Sequence, residues 1–427
     1  MSDKIHVVII GAGFGGLQAV KILSRNRNVN ITLIDRKNHH LFQPLLYQVA
    51  TAVLSPADIA IPTRSLMHKK KNVTVLMDEV TGIDKDNKMI ILEDKKISFD
   101  FLIIAAGART GYFGKNEWIR YTYGLKNLKD ALLIRNKLLQ SFEEAENHPE
   151  RSDELLNYII IGGGPTGVEL AGSIAEIANS IINDDFRNID TKKTKIILIE
   201  AGSDLLPTFN RELSVYTKLR LEKRNVRVLL NTRVQNIEGN KIFVKSPEGE
   251  KTYEANMIIW AAGVEAVPIT MASGLPVSRN NRLIVNQYCS FDRYPEIFAI
   301  GDVAEFRDMN GDVLPGVSAV AMQQGRYAAS AILDEIRGRM KKPFRYFNKG
   351  NMATIGRKDA VAELGSAKFT GFIGWIMWLF VHLFYQVGFK NKISILITWI
   401  WSYLTFGASA RVIQEPILKV EKEKNTN

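Results

Sequence analysis

Two glycine runs, about 150 residues apart, are the parts of this chain best suited to chemistry. Val8-Ile9-Ile10-Gly11-Ala12-Gly13-Phe14-Gly15-Gly16 is echoed by Ile159-Ile160-Ile161-Gly162-Gly163-Gly164-Pro165-Thr166-Gly167. In such a run the first glycine makes a tight strand-to-helix turn, the second admits a pyrophosphate, and the third lets helix and strand pack closely. The unpaired amides of the helix N-terminus then face the phosphates. Gly11, Gly13 and Gly16 take these parts in the first copy, with Phe14 and Gly15 between them. Gly162, Gly164 and Gly167 take them in the second, with Pro165 and Thr166. Each run is followed by a strand that closes on an acid, Asp35 (then Arg36) or Glu200. A carboxylate there accepts a hydrogen bond from a ribose 2′-hydroxyl. It also repels a 2′-phosphate, so Glu200 favours NADH over NADPH. The charged loop 184–193 takes up the longer gap in the second copy.

The elements that must hold these residues are legible as alternation. Apolar, β-rich runs at 7–10, 31–34, 101–105, 158–161, 195–199 and 257–260 are separated by helical stretches. That is the pattern of an α/β protein with parallel sheets. Each half also carries an apolar run ending in Ala-Ala-Gly, which adds Ala106 and Gly107 to the first module and Ala262 and Gly263 to the second. The economical reading is two Rossmann-like dinucleotide-binding domains, one for a flavin and one for a nicotinamide cofactor. The flavin domain spans 1–119 and resumes over 265–345, the NADH domain spans 120–264, and a separate C-terminal region covers 346–427. A short strand ending in Gly301-Asp302 belongs to the resumed part.

Composition narrows the partners. A length of 427 residues suggests about two to three domains, and 46% hydrophobic with 24% charged residues argues against disorder and against a polytopic membrane protein. Cys289 is the only cysteine, which excludes an intramolecular disulfide, a CxxC pair and a thiolate zinc cage. The six histidines show no ligand spacing, so no metal is expected. Cys289 is expected in a strand over 282–291 as a buried structural thiol. No export signal is visible in the first residues. The net charge of +11 invites anionic partners; without a nucleic-acid motif or a dense patch, nucleic acid is not among them. Lys69 to Lys71 and the basic 419–424 segment read as solvated surface.

Charge is uneven. Over residues 369–410 only Lys390 and Lys392 are charged, and Trp375, Trp378, Trp399 and Trp401 gather there. By length the two halves could span a bilayer as a hairpin. Glycines and His382 and Gln386 in the first half, Ser394, Thr398, Ser402 and Thr405 in the second, and the tryptophans favour amphipathic helices lying in the membrane interface. A buried core or a dimer face is the alternative.

Three further segments narrow the family. Asn38-His39-His40-Leu41-Phe42-Gln43-Pro44-Leu45-Leu46-Tyr47-Gln48-Val49-Ala50, Trp260-Ala261-Ala262-Gly263-Val264 and Ala321-Met322-Gln323-Gln324-Gly325 resemble the type II NADH:quinone oxidoreductases, and the likeness runs over essentially the whole chain. It implies a glutathione-reductase-like fold with a C-terminal membrane-binding region, FAD and NADH as cofactors, and a membrane quinone, ubiquinone or menaquinone, as acceptor. Asp302 would hold the flavin's ribityl chain, with Pro44, Leu45, Val80, Ala321, Met322 and Gln323 also lining the flavin site. The helix from Ser318 would point its N-terminus at the flavin edge that gains negative charge. Glu169, unusual in the first turns of a phosphate-facing helix, would lie near nicotinamide and quinone as the acid–base residue; on local grounds alone it could equally be a partner of the helix dipole. Gln323 is the second catalytic candidate. Relatives often carry a second glutamine where this chain has Ala319, so His382 or Gln386 could supply the missing quinone hydrogen bond. The resemblance further implies a homodimer; the in-plane helices and the lone cysteine favour a peripheral place on the cytoplasmic face of the inner (cell) membrane, and the net positive charge favours anionic lipid. A ferredoxin-like protein acceptor and a non-enzymatic flavin redox sensor are the competing readings.

Overall fold

The computed structural model describes residues 4–405 and 410–414. The chain forms two compact units: Met1–Leu41, Ala60–Arg109 and Val264–Lys349 make the first, and Phe42–Ile59, Thr110–Gly263 and Gly350–Asn427 the second.

The first unit is built on five parallel strands in the order Ile297–Ala299, Phe101–Ile104, Ile5–Ile10, Val29–Asp35 and Val73–Met77. Val7, Val8 and Ile9 are shielded on both faces, which is why this stretch reads as an unbroken apolar run rather than an alternating one. Each such side chain contributes about 1.5–3 kcal/mol by leaving water. The helix Phe14–Leu23 crosses the helix Ser318–Ile336 so closely that a Cβ on Gly325 would lie 2.2 Å from the Gly15 carbonyl oxygen.

One expectation fails in this unit. Only Leu283–Ile284 is strand in the region of Cys289, and Cys289 itself takes a left-handed turn conformation with φ 54°. Asn286 captures the chain there: its side-chain oxygen accepts from the Tyr288 and Ser290 amides at 2.9 and 3.2 Å, and its carbonyl accepts from the Cys289 amide at 3.0 Å. That local turn competes successfully with strand pairing. The thiol is buried, and burial raises its pKa far above the ordinary range.

The second unit repeats the plan with parallel strands Tyr123–Gly124, Met257–Trp260, Asn157–Ile161, Lys195–Ile199 and Val226–Leu229. Its glycine helix, Pro165–Glu176, lies against the first strand of an antiparallel sheet, Asn351–Gly356, Asp359–Leu364 and Ala367–Thr370. A Cβ on Gly172 would fall 2.0 Å from the Ile355 carbonyl oxygen.

The chain then forms a helical hairpin, Gly371–Tyr385 and Phe389–Thr405. Among the described residues no helix is long and apolar enough to cross a membrane. Three of the hairpin's polar side chains reach the segment at Asp58. Ser394 donates to the Asp58 carboxylate at 2.6 Å, Asn391 donates to the Ala57 and Asp58 carbonyls at 2.8 and 2.9 Å, and Gln386 donates to the Asp58 carbonyl at 3.0 Å. Its outer face is apolar, with Phe372, Ile376, Phe380 and Phe384 on one helix and Ile393, Ile397, Ile400 and Leu404 on the other all exposed. The tryptophans depart from expectation: Trp375, Trp378 and Trp399 are buried, and of the four only Trp401 faces outward. They pack the hairpin onto the unit because indoles supply large apolar area and one donor each. The basic 419–424 segment lies outside the described residues.

Candidate functional site

The two glycine turns are near copies. Gly11 and Gly162 take left-handed φ values of 102° and 112°, open only to glycine without strain. A Cβ on Gly16 would lie 1.9 Å from the Gly11 carbonyl oxygen, and one on Gly167 would lie 1.9 Å from that of Gly162. A Cβ on Gly13 or Gly164 would meet nothing within 4 Å. Neither helix has a side-chain cap at its N-terminus. First-turn amides in front of open space are what a pyrophosphate needs, so these residues fit two dinucleotides.

The strand-ending acids brace the turns as well. Asp35 accepts from the Ala12 amide at 2.7 Å and the Lys37 amide at 2.8 Å. Glu200 accepts from the Gly163 amide at 2.6 Å and the Gly202 amide at 2.7 Å. Each carboxylate oxygen keeps a lone pair for a ribose hydroxyl. Arg36 is exposed, 3.9 Å from Glu79. Beside the first turn, His40 binds the Ala12 carbonyl through Nδ1 at 2.9 Å and meets the Phe14 ring edge-on at 5.2 Å. Its buried Nε2 has no protein partner. No spacing in the sequence marks His40 for a role of its own.

The remaining candidates fall into place by unit. In the first, Val80 is buried, Ala106 and Gly107 follow the strand Phe101–Ile104, and Asp302 sits in the turn Gly301–Val303 with an oxygen 3.2 Å from where a Gly316 Cβ would be. Ala321 and Met322 are buried on the helix Ser318–Ile336. Gln323 has both ends of its amide engaged by Phe347, donating to its carbonyl at 2.9 Å and accepting from its amide at 3.0 Å. The neighbouring Gln324, fully buried, accepts from the Gly301 amide at 2.7 Å. Pro44 and Leu45 belong to the second unit, in a single turn Gln43–Leu45. There, Pro165 and Thr166 open the glycine helix, and Ala262 and Gly263 follow the strand Met257–Trp260. Trp260 donates to the Gly111 carbonyl at 2.9 Å and stacks on Tyr112 at 5.1 Å.

Glu169 is a buried acid of the second unit. It is 9% exposed on the face of the glycine helix that meets the strand Asn351–Gly356. Burial pushes its pKa up to about 8, against the opposing pull of the Thr354 amide and the Trp378 indole. The indole N–H stands beside the carboxylate without reaching full hydrogen-bond geometry. An acid so placed keeps its proton at neutral pH and can release it close to that range. Trp378 also stacks on His382 at 4.1 Å, and burial lowers the His382 pKa to about 4. His382 Nδ1 is 2.8 Å from the Trp378 carbonyl oxygen, and Gln386 keeps a buried Oε1 without a protein partner. Tyr47, Gln48, Trp378 and Trp399 carried no catalytic assignment from sequence. The adjacent Tyr47-Gln48 pair, polar inside an apolar run, was the available signal.

Among the described residues no group of three or more His, Cys, Asp or Glu could hold a metal ion.

Two Rossmann-like units with paired pyrophosphate turns define a two-dinucleotide reductase. In agreement, the pyridine nucleotide-disulphide oxidoreductase family model matches residues 5–325, and the NDH2 C-terminal domain model matches residues 348–407. The chain is 41% identical over 414 residues to the type II NADH:quinone oxidoreductase Ndh of Mycobacterium tuberculosis, covering 94% of this chain and 88% of that one. It is 28% identical over 373 residues to the type II NADH:quinone oxidoreductase of Staphylococcus haemolyticus, covering 86% and 92%. The fold matches the NDH2 structure from Plasmodium falciparum in complex with NADH with a TM-score of 0.88 at 23% identity, over 96% of this chain and 100% of that one. The chain belongs to the type II NADH:quinone oxidoreductases, FAD-dependent enzymes that oxidise NADH and reduce quinone.

Proposed function

We propose that the first glycine turn, with Asp35 and Asp302, holds FAD, that the second, with Glu200, holds NADH, and that Glu169 handles the proton of quinone reduction. The observation that carries this is a buried, proton-retaining acid on the helix that begins at the second turn. Bound FAD supplies the acceptance of hydride from NADH and the onward delivery of the electron pair. The chain's own part is positioning and electrostatics. Helix amides at both turns take the pyrophosphates, Asp35 and Glu200 take ribose hydroxyls, and the Ala106-Gly107 and Ala262-Gly263 strand ends let the cofactors approach the backbone. Glu169, protonated at neutral pH, gives its proton to the reduced quinone oxygen and regains one from water. Gln323 can offer its amide to a quinone only by releasing Phe347, so Trp378 and Gln386 are the better donor and acceptor in this chain. The domain reading accordingly assigns FAD to 1–119 and 265–345 and NADH to 120–264.

We further propose that 346–427 seats the enzyme on the cytoplasmic face of the inner membrane, on anionic lipid and as a homodimer. The outward apolar stripes of the hairpin, with Lys390 and Lys392 at its turn, support a lipid seat. Purified protein should be yellow, NADH should bleach it, and a quinone should restore the colour. No reoxidation by any quinone, with rapid reoxidation by a ferredoxin, would overturn the acceptor. Replacing Phe380 and Leu404 with serine should weaken flotation with anionic vesicles while leaving flavin content unchanged.

A further inference from the structure

Trp399, Gln48 and Tyr47 form a buried chain from the hairpin to the helix Leu46–Ala50, which packs on the glycine helix that carries Glu169 and brings Tyr47 within electrostatic reach of it. Trp399 Nε1 donates to Gln48 Oε1 at 2.8 Å, and Gln48 Nε2 donates to the Tyr47 hydroxyl at 3.0 Å. The direction of this chain follows from chemistry. An indole nitrogen can only donate, so the atom facing it must be the amide oxygen of Gln48. The NH₂ end then faces Tyr47, whose oxygen accepts, and the Tyr47 hydrogen is left for another acceptor. The Tyr47 ring meets Trp378 edge-on at 6.4 Å, and the Trp378 indole stands beside Glu169. Burial and the neighbouring Glu169 charge both oppose ionisation of Tyr47, so it keeps its hydrogen throughout the working range.

We infer that Trp399 is a positioning residue: by fixing the Gln48 amide it turns the Tyr47 hydroxyl hydrogen toward Glu169 and so sets the pH at which that acid gives up its proton. The inference rests on Glu169 being the proton-handling acid. Few other groups bear on it. The strand Asn351–Gly356 has no ionisable residue, and the following Arg357 binds Glu176, two turns along the glycine helix, through its amide at 2.9 Å. Tyr403 from the second hairpin helix joins Glu176 among the neighbours of Tyr47. His382, stacked on Trp378, is neutral above about pH 4. In the sheet beneath, Tyr158 packs on Phe142, while Lys195 and Arg227 face solvent. On the adjacent helix Arg211–Glu222 and just past it, Arg220 and Arg224 are both paired with Asp359.

The test is kcat against pH from 6 to 10 with NADH and a water-soluble short-chain quinone, with flavin absorbance as the control for folding. Wild type should lose activity through a basic limb near pH 8, and Glu169→Gln should lack that limb. In Trp399→Phe the Gln48 amide can turn over and take the Tyr47 hydrogen, which leaves a lone pair facing Glu169. The limb should then move up by about half a pH unit, because the Tyr47 hydroxyl acts on Glu169 as a nearby dipole and not through a direct hydrogen bond. Gln48→Leu removes that competing acceptor, so the limb should stay near wild type, and the double variant W399F/Q48L should return it there. A purely structural role for Trp399 predicts a double variant no better than the single one. A limb lost in Glu169→Gln but unmoved in Trp399→Phe, or a shift that Gln48→Leu fails to reverse, overturns the inference alone. A limb that persists in Glu169→Gln overturns the acid assignment and the inference with it. Should Trp399→Phe lose flavin, Tyr47→Phe decides: its limb should rise likewise, and an unmoved limb overturns the proposal.

Discussion

The two glycine turns differ by almost nothing at the backbone and by a great deal in what packs on the helix that follows. In the first unit the helix Phe14–Leu23 meets another helix through Gly15 and Gly325 and buries no ionisable group. In the second, the helix Pro165–Glu176 meets a strand through Gly172 and buries Glu169 one turn earlier. On the proposed function the same cradle holds a cofactor in either case, and the chemistry is set by the layer behind it. Helix on helix would then make a holding site, and helix on strand with a trapped carboxyl a site fit to move a proton.

Glycine exchange should break the comparison most severely. Gly16→Ala and Gly167→Ala each force a Cβ into a carbonyl oxygen, at a cost of about 3 kcal/mol. The first should lose flavin, read from visible absorbance of the purified protein. The second should keep its colour while reduction by NADH slows about 100-fold in stopped flow. Identical losses from both would mean that the turns are not specialised.

Glu169→Gln should come next, lowering quinone-dependent kcat about 100-fold. It also has a stability signature. The folded chain holds this proton to about pH 8, whereas the unfolded one releases it near 4.5. The native state thus binds more protons between those values, and stability falls as pH rises through that window. The variant lacks that slope, so at pH 9 it should melt above wild type, and at pH 5 the gap should close.

Glu200→Gln should have the mildest effect. Losing one charge near the ribose should reduce the NADH to NADPH ratio of kcat/KM about tenfold. An unchanged ratio would leave Glu200 only its part in bracing the Gly163 and Gly202 amides.

These contrasts also separate what was legible in the sequence from what was not. The turns were readable because left-handed φ and carbonyl contact admit only glycine at Gly11, Gly16, Gly162 and Gly167, and Asp35 and Glu200 because each closes a strand. Glu169 stood out as an acid in the wrong turn of a helix, yet its surroundings come from Thr354 and Trp378, about 200 residues away, where no local pattern reaches. Tryptophans clustered on an apolar helix suggest an interface, whereas the indole donor of Trp399 is needed inside. At Cys289 one asparagine turn outweighs a run of strand-forming residues.

The Trp399–Gln48 bond spans 351 positions of the chain. Its consequence is one of timing. On the ribosome, the helix Leu46–Ala50 can meet the helix Leu128–Asn147 early, but the buried Tyr47 and Gln48 lack Trp378 and Trp399 until the hairpin emerges more than 300 residues later. Closure of the pocket around Tyr47 must therefore wait for the hairpin, a long-range step that is slow by topology. A chain shortened before residue 369 would expose the lining of its own acid pocket.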